Sequence, residues 1–108
     1  MRCAVVLMIF FLFSPVLAHA EMPQYTLTIK DHQFSPPALK VKANEKFKLI
    51  IDNQDATPEE FESHDLDREK VIGGGKKGTV LINALKPGTY KYVGEFHEDT
   101  AKGTIVAE

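Results

Sequence analysis

Short apolar segments broken by turn residues recur about every ten residues from position 24 to the end of the chain, a spacing that signals a sandwich or barrel of strands. Tyr25 to Ile29 alternates, with Leu27 and Ile29 on one face and Thr26 and Thr28 on the other. Leu39 to Lys42 alternates again, and Phe47 to Ile51 is apolar and rich in β-branched residues. Phe61, Val71-Ile72, Thr79 to Ile82, Thr89 to Val93 and Gly103 to Ala107 supply the remaining strand signals. Between them lie turn formers: Phe34-Ser35-Pro36-Pro37, Ala43-Asn44-Glu45, Asp52 to Pro58, Gly73-Gly74-Gly75 and Leu85-Lys86-Pro87-Gly88. Glu59 to Lys70 lacks a helical apolar stripe, so it reads as a short strand at Phe61 followed by an irregular connection. Gly94 to Lys102 reads as a polar loop. The expected fold is all-β, a Greek-key β-sandwich of about seven or eight strands with no long helix.

The first 20 residues are of a different kind. Arg2 precedes an apolar run from Ala4 to Phe13, Ser14 and Pro15 close it, and Ala18-His19-Ala20 offers a small-x-small cleavage pattern. That is the form of a secretory signal peptide, and the run is short for a membrane span. The expected organisation is therefore a signal peptide over residues 1–20 and one domain over residues 21–108, with no membrane insertion of the mature chain and a periplasmic destination. Cleavage would remove Arg2 and the single cysteine, Cys3. The mature domain then holds no cysteine, and its charge is one unit more negative than the −2 of the whole chain. Disulfides, thiolate metal sites and a Cys-based redox pair are excluded. So is a dedicated nucleic-acid surface, since no basic block is present.

Ser35 and Ser63 lack a nucleophile motif, and Gly73-Gly74-Gly75-Lys76-Lys77 lacks both the spacing and the following helix of a phosphate loop. The side chains able to carry chemistry are imidazoles and carboxylates, which suit copper(II), iron and zinc. They fall into three groups: Glu59, Glu60, Glu62 and His64; Glu95, His97, Glu98 and Asp99; and His32 alone. Residues two apart on a strand share a face, so Glu60 and Glu62 would point one way, and Glu95 and His97 would do the same. Arg68 and Lys70 are expected to pair with nearby acids. Tyr90, Tyr92, Phe34, Phe47 and Phe61 are expected in the core.

Pro87-Gly-Thr-Tyr90-Lys-Tyr-Val-Gly94-Glu-Phe-His97, followed by Gly103-Thr-Ile-Val106, resembles the C-terminal copper loop of cupredoxins. Phe34-Ser-Pro36, Leu39-Lys-Val41 and Ala43 resemble an earlier segment of that family, and the loop Asn53 to Pro58 resembles the one carrying its first ligand histidine. The resemblance implies that His97 falls on a ligand histidine and that Glu59 or Glu60 takes the first histidine's position. Gly94 falls where the ligand cysteine stands, and Ala101 falls near the axial methionine. A blue-copper centre needs the thiolate, so an ordinary electron carrier of that kind is ruled out. Thr57 to Ser63, Arg68 to Val71 and Gly94 to Ala101 further resemble cysteine-free periplasmic cupredoxins associated with iron permeases, and the cupredoxin domain of EfeO-type iron-uptake proteins. That likeness implies a protein that binds copper or iron and assists ferrous iron uptake, with an inner-membrane permease as partner. Its metal ligands would come from His97, Glu95, Glu60, Glu59 and His32. Two alternatives stand beside it. One is a metal-free interaction module. The other is a periplasmic copper carrier, which a mature chain with Met22 as its one thioether serves poorly.

Overall fold

The structure is a computed structural model, and it describes residues 4, 5, 7–10, 12 and 21–108. The expected cleavage site lies outside the described residues. Among the described residues, no helix is long and apolar enough to cross a membrane.

Among the described residues, nine strands form two sheets. They are β1 (Gln24–Lys30), β2 (Gln33–Ser35), β3 (Ala38–Val41), β4 (Phe47–Asn53), β5 (Glu59–Ser63), β6 (Arg68–Ile72), β7 (Lys77–Ile82), β8 (Gly88–Gly94) and β9 (Lys102–Ala107). One sheet runs β2-β1-β4-β7 and the other β3-β9-β8-β5-β6. The pairs β1–β4 and β3–β9 are parallel, and every other pair is antiparallel. The chain crosses between the sheets after β2, β3, β4, β6 and β7, so the layers are tied together by the chain itself, as in a sandwich.

The core is the inner row of each sheet. Leu27 and Ile29 from β1, Phe47, Leu49 and Ile51 from β4, and Val80 and Ile82 from β7 face Leu39, Val41, Phe61, Ile72, Tyr92 and Ile105. Phe34, Phe61 and Tyr92 meet at its centre, with ring centroids 5.0 to 6.4 Å apart. Phe34 stands edge-on to both others, a favoured arrangement of aromatic quadrupoles. Four of the five aromatics expected in the core are buried, and Tyr90 packs against its rim.

The structure adds or moves several elements. Phe34-Ser35 is not simply turn, because residues 33–35 pair with β1 as an edge strand of its four-stranded sheet. The expected irregular connection is shorter than its polarity suggests. β6 begins at Arg68, directly after a turn in which Asp67 has φ 52°. Arg68 does not join an acid: its guanidinium donates to the carbonyls of Leu81 and Asp67. The polar loop after β8 opens with a single 3-10 turn, Glu95–His97.

Candidate metal centre

β5 decides which carboxylate reaches the interior. Its five residues alternate strictly, with Glu59, Phe61 and Ser63 inward and Glu60 and Glu62 outward. Phe61 pairs with Gly94 in the neighbouring strand, which brings Glu59 beside the end of β8. Glu59 is 1% exposed. Its Oε1 accepts from the backbone N–H of Glu60 (3.0 Å) and of Phe96 (2.9 Å), and its Oε2 lies 2.5 Å from His97 Nδ1. A buried carboxylate is costly unless donors surround it, and here three do.

Gly94 leaves the room for this. A Cβ at position 94 would stand 2.7 Å from the Glu59 carboxyl carbon and 2.7 Å from the Ala101 Cβ. Contacts that short are essentially unknown, so Glu59 occupies space that any side chain at 94 would need. The Gly94 N–H bonds to the Ala101 carbonyl (2.7 Å), and the Ala101 N–H bonds to the His97 carbonyl (2.8 Å). The loop thus closes on itself around His97.

His32 arrives from the other sheet, at the turn between β1 and β2. Its ring stacks on that of His97 with centroids 3.6 Å apart and planes 15° from parallel. Donor atoms of His32, Glu59 and His97 all lie within 4.8 Å of one another. Two imidazoles and one carboxylate form a two-His-one-carboxylate set, which suits iron or copper(II) and lacks any soft sulfur. The residues do not fit a thiolate copper centre, because Gly94 and the Glu59 carboxylate fill that place. They fit a harder ion held through nitrogen and oxygen. In a stack the ring lone pairs lie in near-parallel planes, so directing both onto one ion requires the rings to splay.

Of the five residues singled out by sequence, His32, Glu59 and His97 come together and Glu60 and Glu95 do not. Glu60 points outward on β5. Glu95 does not share a face with His97, since both sit in a turn of three residues per revolution rather than on a strand. Glu95 instead meets Glu60 and Glu62. Partial withdrawal from water, a hydrogen bond shared with Glu95, and the charges of Glu95, Glu69 and Glu62 push Glu60 up to about 7. Glu62 is also raised, first by its hydrogen bond with Glu95. His64 is exposed and lies 3.3 Å from Glu62, away from the cluster.

The sequence reading missed Asp55. Its carboxylate accepts the backbone N–H of Asp31 (2.7 Å) and of His32 (3.0 Å). The His32 N–H, then that of Asp31, hold it below the usual carboxylate range against the opposing effect of burial. Nothing in the loop Asp52 to Pro58 announces this, because its partners lie 23 and 24 residues away.

Residues 2–107 match the family described as the cupredoxin-like domain. The chain belongs to that family. A protein of Rickettsia prowazekii strain Madrid E, described as uncharacterized, is 43% identical over 93 residues, covering 86% of this chain and 74% of its own. Among solved structures, auracyanin A of Chloroflexus aurantiacus, a blue copper protein, superposes with a TM-score of 0.68 at 14% identity, covering 82% of this chain and all of the other. Amicyanin of Paracoccus versutus gives 0.61 at 15% identity, covering 84% and 87%. The metal-binding domain of a Cu(I)-exporting P-type ATPase of Streptococcus pneumoniae, solved with Cu(I), gives 0.66 at 8% identity, covering 79% and 84%. At these identities the structural likenesses establish the cupredoxin-like fold.

Proposed function

We propose that this cupredoxin-like protein binds copper or iron on His32, Glu59 and His97, in the periplasm, and assists ferrous iron uptake alongside an inner-membrane permease. The observation that carries the metal site is the convergence of two imidazoles and one buried carboxylate from three separate segments. The copper proteins that share the fold support a metal role. The leader-like residues 1–20 support export. For iron, the support is the donor set and the likeness to iron-uptake cupredoxins. Oxygen donors favour Fe(III) over Fe(II), which suits one-electron oxidation of ferrous iron before it reaches the permease, the electron passing to an external acceptor such as dioxygen or a redox partner protein. His32, Glu59 and His97 would hold the ion, and a bound ion would supply the redox chemistry. Glu60 and Glu95 line the adjoining surface rather than the site.

One observation favours a metal-free module as a second reading. The Glu59 carboxylate already has three donors, so the site is satisfied without an ion. Thermal unfolding separates the two readings. The strands among the described residues all lie within residues 24–107, so protein from residue 21 onward carries both sheets. An ion at a hundred times its Kd adds about 2.7 kcal/mol. For a domain of this size that raises Tm by about 10 to 20 °C. No shift with Cu(II), Fe(II) or Fe(III), together with no saturable uptake, would leave the module. Growth of a deletion strain under iron limitation and under copper limitation tests the uptake role.

A further inference from the structure

The hairpin that carries His32 is held in an unusual conformation from outside. Lys30 pairs with Gln33 across a two-residue connection, and both central residues have positive φ, 52° at Asp31 and 56° at His32. Turns of this kind favour Asn-Gly, because a Cβ in the left-handed region meets backbone oxygen. Asp31 suits the first of the two places, whereas His32 stands where glycine is favoured. Asp55, across the gap from β4, compensates. Oδ1 takes the Asp31 N–H, Oδ2 takes the His32 N–H, and Oδ2 also lies 3.5 Å from His32 Nδ1.

Asp55 is itself anchored to the interior. The fully buried Asn53 donates to the carbonyls of Thr57 (2.9 Å), Ile72 (3.1 Å) and Gly73 (3.3 Å). Its Oδ1 accepts the Asp55 N–H at 3.0 Å. From behind, the Gly75 N–H donates to the Asp55 carbonyl at 2.8 Å. Gly74 packs so tightly on the Ala56 backbone that a Cβ there would collide with it. A rigid loop therefore presents one carboxylate to a turn that needs two acceptors.

We propose that Asp55 is the positioning residue of the centre: it fixes the left-handed Asp31-His32 turn and so delivers the His32 ring onto His97. The placement of the ring stands on geometry alone, and only its consequence for metal affinity rests on the metal-binding reading above. Such outer partners of a ligand histidine typically change metal affinity tenfold to a hundredfold.

The test uses protein from residue 21 onward with three variants: Asp55→Ala, Asp55→Asn and His32→Ala. In the metal-free protein, NMR of the imidazole C–H groups reads the stack as a ring-current shift at His32. Asp55→Ala should abolish the shift. Asp55→Asn, which offers one acceptor oxygen where two are used, should keep part of it. Cu(II) is the probe for binding. Asp55→Ala should weaken its Kd by about tenfold to a hundredfold. It should also reduce the nitrogen hyperfine pattern in the EPR spectrum from two imidazoles to one, as His32→Ala does. A general loss of stability would not move that count. An unchanged ring-current shift in Asp55→Ala, or no shift in the parent protein, would overturn the proposal whatever the metal results. If the parent binds no metal, the metal reading fails and the NMR arm alone decides. Should Asp55→Ala not fold, the intermediate shift in Asp55→Asn carries the test, and a full shift there counts against it.

Discussion

Glu59 and Glu60 are adjacent on one strand, and their surroundings could hardly differ more. Glu59 points inward to two backbone N–H groups and an imidazole. Glu60 points outward to Glu62, Glu69 and Glu95, and partial withdrawal from water, a hydrogen bond with Glu95 and the charges of these acids push it up to about 7. The same functional group becomes a candidate ligand on one face and a crowded, proton-retaining acid on the other. Strand parity makes the difference, because successive side chains of a strand leave on opposite faces. The lesson is that richness in acids does not locate a metal centre in this domain; a carboxylate that has gathered donors does.

Four tests would break or sharpen that contrast. His97→Ala should have the largest effect. It removes a ligand outright, so Cu(II) affinity measured by competition titration should fall by more than the hundredfold ceiling typical of outer-shell changes. Next, Glu59→Leu should cost about 1 to 3 kcal/mol in chemical denaturation, since it strands backbone donors in the interior. Its neighbour Glu60→Leu should fall well short of that, and equal costs would erase the contrast. Gly94→Ala should cost about 1 to 3 kcal/mol through overcrowding against Glu59 and Ala101. In the background of Glu59→Gly that cost should shrink, which a double-mutant cycle would register as coupling.

The smallest effect concerns pH. Glu60 is raised from 4.5 to about 7 in the fold, so the folded state binds more protons than the unfolded state between those values. Its stabilising contribution is present below pH 4.5 and is lost as pH rises through 7. Glu60→Gln removes this dependence. The Tm difference between parent and variant, followed with a chelator present, should drift against the parent from pH 4.5 to 7. A flat difference would mean that Glu60 does not share its proton with Glu95.

Much of the fold was legible in the sequence, because half-buried strands announce themselves by alternation. Leu27 and Ile29, and the run Phe47 to Ile51, led directly to β1 and β4. β2 was less visible: three residues beside two prolines read as turn until Ile29 and Phe34 are seen paired. The site was only half legible. Phe61 marked β5, and with Phe61 inward the alternation of a strand puts Glu59 inward and Glu60 outward; what the sequence did not show is that the strand already begins at Glu59, directly after Pro58. Glu95 is hidden for a different reason: a strand period puts it on the face of His97, whereas the chain here turns at three residues per revolution and sends the two apart. Asp55 left no local trace at all, because what it holds is a hairpin distant in sequence.

The mutual exclusion of Glu59 and any side chain at Gly94 bears on which sequences can be reached from this one. A cysteine at 94 collides with the carboxylate, whereas losing the carboxylate first leaves the N–H groups of Glu60 and Phe96 unanswered. Each single step toward a thiolate centre therefore passes through a weakened protein, and only the paired change avoids it. In this chain the glycine and the glutamate thus stand as one unit, and the thiolate place stays closed unless both change together.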